Sequence, residues 1–422
     1  MYVLLDGVGD LPHPDLNGLT PLEAALSPNL DELAHRGIMG KVIPVGIGIA
    51  PQSDIAVFNM LGYDFRGEKY VGRGVIEIIG SGIDFVDGDL ALRGNFATVN
   101  KSGMIIDRRA GRDIEREEAA ELCRYLEESA RFSDPHVSMK IVPTVGHRVI
   151  VRFRHSKISL SERITNTDPA YEKKNGIGIA RMSVGSMHVM NSIAEDNDES
   201  SILSARIVNE FTQQCVILSN SHVVNVNRIS KNKKPMNIIL LRDPGTRLPS
   251  LKPISQKHGI TASSIVDMPV EIGIARTLGI HSISAGGIDG FETKAEETAK
   301  LLQTFDLVYV HLKGPDEFGH DGNAVGKKEN IENIDSRFFG TLLHNLVDNN
   351  VSFIISGDHS TPCIKKAHSD DPVPLLISGN NIRNDGSKRF TESFASRGSL
   401  GLLYGANVLS TAIKIMKEAS SN

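Results

Sequence analysis

Residues 294–312 read KAEETAKLLQTFDLVYVHL. The first part, 294–305, has the pattern of an amphipathic helix. The second, 307–312, is a run of strand length, apolar except for His311. Similar alternation recurs along the C-terminal part of the chain. Strands are predicted at 237–241, 263–266, 351–355 and 373–377, with helices at 270–279, 329–349 and 406–418. The N-terminal end follows suit: a buried strand at 2–5, a helix over 29–37, a strand at 41–45 and a short helix at 55–61 closed by Gly62. Strand and helix in alternation predict an α/β fold with a mostly parallel sheet and helices on both faces.

The middle of the chain follows a different pattern. A charged helix is predicted over 113–129, neighbouring strands at 137–142 and 148–153, an acidic loop at 194–201 and a helix over 202–218. This predicts a core formed by 1–85 and 236–422, interrupted by a smaller inserted α+β domain at 86–235. A chain of 422 residues is also long for a single core.

Composition narrows the function. Hydrophobic residues are 40% and charged residues 23%, which is ordinary globular usage. The net charge of −5, from 46 basic and 51 acidic residues, argues against a nucleic-acid groove. No apolar stretch approaches the ~20 residues needed to span a bilayer, so no membrane is expected. Three well-separated cysteines, Cys123, Cys215 and Cys363, make neither a disulfide framework nor a zinc knuckle and point to the cytoplasm.

Polar residues mark the ends of the predicted strands, where open α/β sheets bind ligands. Asp6 follows the first strand, Asp316 and His320 follow 307–312, Asp358 and His359 follow 351–355, and His368 precedes 373–377. Each motif alone reads as a surface pair or a turn. Together they offer three aspartates and three histidines on one rim, a donor set for Mn²⁺, Zn²⁺, Fe²⁺ or Mg²⁺. Six side chains are too many for one catalytic ion with an open position and suit two ions roughly 4 Å apart. Ser53, just before the helix at 55–61, is the candidate nucleophile. A serine there can simply cap the helix, but the same position is an anion site, because free N–H groups and the helix dipole favour a phosphoryl group.

An anionic substrate calls for cations, and arginine binds phosphate and carboxylate bidentately. The candidates are Arg73, Arg93, the cluster Arg108, Arg109 and Arg112, the pair His147 and Arg148, and Lys313, with Asp168 as a further polar group.

These stretches resemble the archaeal-type 2,3-bisphosphoglycerate-independent phosphoglycerate mutases of the alkaline phosphatase superfamily. The resemblance runs through LLDGVGD, PQSDIAVFNMLGYD, VGRGVIE, DRRAGR, GHRVIV, NTDP, HLKGPDEFGHDGN, SGDHSTPC and HSDDPVPLLISG. It covers nearly the whole chain. It implies an alkaline-phosphatase-like core and an isomerase that interconverts 3-phosphoglycerate and 2-phosphoglycerate in glycolysis and gluconeogenesis without 2,3-bisphosphoglycerate. It further implies two divalent ions, Mn²⁺ first, with Mg²⁺, Zn²⁺ or Co²⁺ as alternatives. One would be held by Asp316, His320 and His368, the other by Asp6, Ser53, Asp358 and His359. Ser53 would carry a phosphoserine intermediate, and the inserted domain would grip the glycerate and keep water out. Two stretches depart from the family pattern: Val57 stands where a polar residue is usual, and Gly314-Pro315 replaces Ala-Thr. A phosphatase, phosphonate hydrolase or phosphopentomutase on the same core is the alternative, and the oligomeric state is left open.

Overall fold

The computed structural model describes residues 1–66, 69–174, 177–180, 187–346 and 350–421. They form two compact units. The first comprises 1–66, 252–267 and 274–422, and the second 67–251 with 268–273. In chain order the strands are β1 (Tyr2–Leu5), β2 (Gly37–Ile43), β3 (Leu90–Val99), β4 (Ile105–Asp107), β5 (Val137–Pro143), β6 (Arg148–His155), β7 (Tyr171–Lys174) and β8 (Ile177–Ala180). They continue with β9 (Ile238–Gly245), β10 (Ala262–Ile265), β11 (His281–Ile283), β12 (Leu307–Leu312), β13 (Phe353–Gly357), β14 (Val373–Ser378) and β15 (Gly401–Tyr404).

The first unit is built on an eight-stranded sheet in the order β11-β10-β12-β1-β13-β14-β2-β15. Pairing is parallel except on either side of β14. Both faces of the central strands are buried, which explains their continuous apolar runs. Val3, Leu5, Val308, Val310, Leu312 and Ile355 pack on one face against Leu30, Leu33, Phe291, Phe338 and Phe339 from helices. Tyr2 points to the other face, where its hydroxyl donates to the Met60 carbonyl at the end of the helix Ser53–Met60.

The predicted helix 329–349 is a helical run in three parts, Ala324–Asn333, a π-helical turn at Ile334–Phe339 and Gly340–Asn345. The last three residues of the prediction lie outside the described residues. The wide turn has a purpose. It carries the buried Asp335, whose carboxylate accepts from the backbone N–H groups of Asn29 (3.2 Å) and Leu30 (2.7 Å). Asp335 thus caps the helix Pro28–His35, whose own Ser27 makes no side-chain cap.

The second unit holds an antiparallel sheet in which β3 is central, flanked by β6 and β9, with β4 at its end and β5 beyond β6. The strand predicted at 237–241 therefore pairs with β3 in this sheet, and the second unit extends beyond the predicted 86–235 at both ends. β3 itself is absent from the sequence reading. Its centre is Arg93-Gly94-Asn95, a polar stretch typical of a loop. Leu90, Leu92 and Phe96 face a core formed with the helices Arg116–Ser129 and Glu199–Asn220. The latter helix begins inside the stretch expected to be an acidic loop.

Replacing Asp335 with alanine strips the cap from the buried N–H of Leu30 and the partly buried N–H of Asn29. It is expected to lower unfolding free energy by about 1–3 kcal/mol, read as a lower urea midpoint at unchanged slope.

Candidate active site

Strand register brings the site of the first unit together. Leu5 lies opposite Leu312 on one neighbour and Gly357 on the other. The next residues, Asp6, Lys313 and Asp358, therefore leave three adjacent parallel strands at one level. β14 runs back antiparallel to β13, so His368, five residues before it, returns to the same rim. β2 pairs antiparallel with β14, which directs its carboxyl end, and the segment leading to Ser53, the same way. Asp316 and His320 sit four apart on the helix Pro315–Asp321, a spacing that puts both on one face.

Two donor sets result: Asp6, Asp358 and His359 form a buried one, and Asp316, His320 and His368 a more exposed one. In each, one ligand atom per residue lies within 4.8 Å of the others. The structure thus brings together all seven residues predicted as metal ligands, with the Ser53 hydroxyl 3.2 Å from His359 Nε2.

Each histidine's outer nitrogen is already engaged. His368 Nδ1 donates to the Pro51 carbonyl at 2.7 Å and His320 Nδ1 to the Lys366 carbonyl at 3.2 Å. His359 Nδ1 lies 3.0 Å from the Thr361 hydroxyl, which itself donates to Asp316 Oδ1 at 2.6 Å. That hydroxyl, its proton committed, must accept from His359. All three rings therefore carry a proton on Nδ1 and point Nε2 inward, the orientation that metal ligation through Nε2 needs. His368 Nε2 is 3.4 Å and His320 Nε2 3.6 Å from Asp316 oxygens. His359 Nε2 is 3.5 Å from Asp6 Oδ1 and 3.4 Å from Asp358 Oδ2.

The carboxylates are half satisfied. Asp358 Oδ1 accepts from the N–H groups of Gly7 and His359, both at 3.0 Å. Asp6 Oδ2 accepts from Lys313 at 2.9 Å. Their other oxygens, Asp6 Oδ1 and Asp358 Oδ2, are buried without a hydrogen-bond partner. His311 Nε2, also buried, lies 3.6 Å from Asp358 Oδ2 and 3.9 Å from Asp6 Oδ1. A buried orphan oxygen is costly, and two of them beside the inward His359 Nε2 fit a divalent cation.

The field agrees. Burial alone would lower the pKa of His359, but Asp358, Asp6 and Asp316 outweigh it and push it up to about 9. Burial raises Asp358. Asp6 is held well below the carboxylate range despite burial, chiefly by Lys313 and His359. Asp316 is lowered by His368 and His359 against burial and the Asp6 charge.

The departures from the family pattern have physical readings. Gly314 has φ +129°, and a Cβ there would meet Asn330 Oδ1 at 2.4 Å, so this turn requires glycine. Pro315 then occupies the first position of the helix, where its fixed φ suits the start. Val57 is buried within its helix.

The second unit gathers cations. Residues alternate across β3, β6 and β9, so Arg93, Arg148 and Arg242 project from the face opposite the helical core. Arg93 pairs with Arg242, and Asn95 with Arg148, across the strands. Like charges placed so closely repel. Glu77 accepts from both Arg73 and Arg93 at 2.9 Å, and Asp243 Oδ2 lies 3.2 Å from Arg93. Arg108 grips Asp168 through two nitrogens at 2.7 and 3.2 Å, and Arg242 reaches the same carboxylate at 3.4 Å. Both guanidiniums lie over the Tyr171 ring. Asp168 thus orients arginines here. Burial, then Arg93 and Arg73, bring Arg148 down to about 10, and burial with Arg148 brings His147 down to about 4.

Arg109 and Arg112 lie in a strained turn: Ala110, Gly111 and Arg112 all have positive φ. Asp107 accepts from the N–H groups of Arg109 and Gly111, and the buried Arg228 bonds the Ala110 carbonyl, Asp113 and Glu118. Lys313 enters the first unit's site through Asp6 and is not part of this array. The sequence reading did not single out Thr361, Arg242, Glu77, Asp243 or Tyr171. Only Thr361 and Glu77 fell within motifs it quoted.

A family model described as 2,3-bisphosphoglycerate-independent phosphoglycerate mutase matches residues 34–225. A protein of that name from Aeropyrum pernix is 40% identical over 417 residues, 96% of each chain. One from Thermococcus kodakarensis is 34% identical, covering 99% of this chain and 97% of its own. Among solved structures, a Pyrococcus horikoshii protein superposes with a TM-score of 0.79 at 30% identity, over 99% of this chain and 96% of its own. The cofactor-independent phosphoglycerate mutase of Thermoplasma acidophilum gives 0.64 at 28% identity, over 98% of both chains. With relatives this similar over nearly its full length, the chain belongs to the 2,3-bisphosphoglycerate-independent phosphoglycerate mutase family.

Proposed function

We propose that this protein interconverts 3-phosphoglycerate and 2-phosphoglycerate through a phosphoserine at Ser53, beside two divalent ions, without 2,3-bisphosphoglycerate. The observation that carries the reading is the pair of adjacent donor sets, one of them holding two orphaned carboxylate oxygens and a His359 Nε2 that lies 3.2 Å from the Ser53 hydroxyl. Asp6, Ser53, Asp358 and His359 hold one ion, and Asp316, His320 and His368 the other. Mn²⁺ is the first choice that the family resemblance implies, and this oxygen–nitrogen set also suits Mg²⁺, Zn²⁺ and Co²⁺ as alternatives. When bound, the ions lower the pKa of the serine hydroxyl and neutralise charge on the transferring phosphoryl group.

The protein's own groups do the rest. Ser53 opens the helix Ser53–Met60, so first-turn N–H groups and the dipole favour a phosphoryl group on its oxygen. Lys313 neutralises one oxygen of Asp6 and keeps the other free to ligate. In the second unit, five guanidiniums (Arg73, Arg93, Arg108, Arg148 and Arg242) face three carboxylates (Glu77, Asp168 and Asp243). The excess positive charge suits a substrate bearing both a phosphate and a carboxylate. With His147 and Arg112 beside it, and Arg109 in the adjoining turn, this array is the proposed grip on the glycerate. That retention separates a mutase from a phosphatase.

The reaction fits the cytoplasm: the three cysteines are free and buried, as a reducing compartment keeps them. No helix among the described residues is long and apolar enough to cross a membrane.

A coupled enolase assay on chelator-stripped protein is the direct test. Added Mn²⁺ with 3-phosphoglycerate and no 2,3-bisphosphoglycerate is expected to yield 2-phosphoglycerate without free phosphate. Phosphate release alone would assign a phosphatase. Ser53→Ala is expected to abolish turnover and the phosphoprotein seen by intact mass after quenching, while the melting temperature holds; retained mutase activity refutes the covalent route. Arg148→Ala removes one charged contact to substrate and is expected to raise KM for 3-phosphoglycerate by about 10–100-fold. An unchanged KM removes Arg148 from the substrate site.

A further inference from the structure

The two donor sets meet at Thr361. Its side chain and backbone are fully buried, and all of its polar groups are engaged. The hydroxyl donates to Asp316 Oδ1 at 2.6 Å and accepts from His359 Nδ1 at 3.0 Å. Its N–H donates to the Gly9 carbonyl at 3.0 Å, and its carbonyl accepts from Lys327 at 3.0 Å. Lys327 is itself fully buried. It also bonds the Gly9 carbonyl at 3.2 Å and Asp10 at 2.8 Å, and Asp10 accepts from the Cys363 N–H at 3.1 Å. The loop after β1 and the loop after β13 are thereby tied together, and the Thr361 rotamer has no freedom.

We propose that Thr361 is a positioning residue that couples the two metal-ligand sets, its hydroxyl fixing the Nδ1-protonated tautomer of His359 in one and the orientation of Asp316 in the other. A hydroxyl has one proton. Because it goes to Asp316, the oxygen can only accept from His359, and His359 must turn Nε2 toward Asp6, Asp358 and Ser53. Hydrogen bonds in such a chain polarise one another, so charge placed at His359 Nε2 strengthens donation through Thr361 to Asp316. The two sites then fill as one unit. The lock is sterically close: a Cβ on Gly7 would sit 2.7 Å from the Thr361 hydroxyl, and one on Gly319 would meet the Thr361 methyl at 2.8 Å. The inference rests on the two-metal reading above.

The test is Mn²⁺ titration of the chelator-stripped full-length protein by calorimetry, well below each variant's melting midpoint in chelator. Wild type is expected to bind two ions. Thr361→Val keeps the shape, loses the hydroxyl and is expected to weaken Mn²⁺ binding by about 10–100-fold, as loss of a partner behind a metal ligand does. Thr361→Ser is expected to restore wild-type affinity. If the valine variant fails to fold, Thr361→Ala takes its place under the same criteria. Wild-type affinity in a folded variant without the hydroxyl overturns the inference while leaving the two-metal reading intact. Equal weakness in the serine variant overturns the role of the hydroxyl. A wild-type protein that binds no Mn²⁺ overturns the two-metal reading and the inference with it.

Discussion

The first unit depends on the register of three parallel strands. β12, β1 and β13 end level with one another, so their next residues, Lys313, Asp6 and Asp358, emerge as a row. A shift of one residue in either pairing would turn those side chains to the opposite face. It would also take Val3, Leu5 and Val310 out of the apolar core on the helical side. The same burial that stabilises the sheet therefore fixes the geometry of the site. Catalytic precision at the rim follows from hydrophobic packing beneath it.

That row costs free energy. Asp6, Asp316 and Asp358 crowd together at the edge of a core, and burial penalises each charge. Three devices offset the penalty. Lys313 pairs with Asp6, backbone N–H groups of Gly7 and His359 solvate one oxygen of Asp358, and His359 takes on positive charge. Each leaves the inward atoms exposed to one another, so the remaining imbalance favours a cation bound at the centre. The second unit reverses the sign: its arginines are brought together by strand pairing and only partly compensated by Glu77, Asp243 and Asp168.

What the sequence revealed divides along the same physical line. Strands buried on both faces write short runs rich in apolar residues, so β1, β12, β13 and β14 were legible, and so were the polar residues at their ends. β3 was not, because a central strand that carries a buried Arg93 and Asn95 beside a glycine has the composition of a turn. β11 was too short, and β15 too exposed, to show a pattern. With β3 unseen, β9 looked like part of the parallel core, and Arg242 could not be recognised as the cross-strand neighbour of Arg93. Thr361 was invisible for another reason: nothing in a threonine's neighbours along the chain tells which acceptor its hydroxyl will find 45 residues away on Asp316.

The division of charge also explains why the metal ligands alone cannot decide the reaction. A pair of carboxylate–imidazole sets beside a serine hydroxyl can move a phosphoryl group onto that serine from many esters. The next step depends on what stays nearby. If the alcohol leaves, water takes its place and the outcome is hydrolysis. If the alcohol keeps its own anionic handle, a group that binds the handle can hold it for the return transfer. The proposed function gives that role to the arginines on the face of β3, β6 and β9. Among the described residues Glu77, Asp168 and Asp243 pair with them, and Arg148 is destabilised as a cation by burial and by its neighbours Arg93 and Arg73. A bound carboxylate or phosphate relieves that repulsion. Affinity for the handle is in this sense built into the mutual repulsion of the arginines, and in the proposed mutase it is the retained glycerate that draws on it.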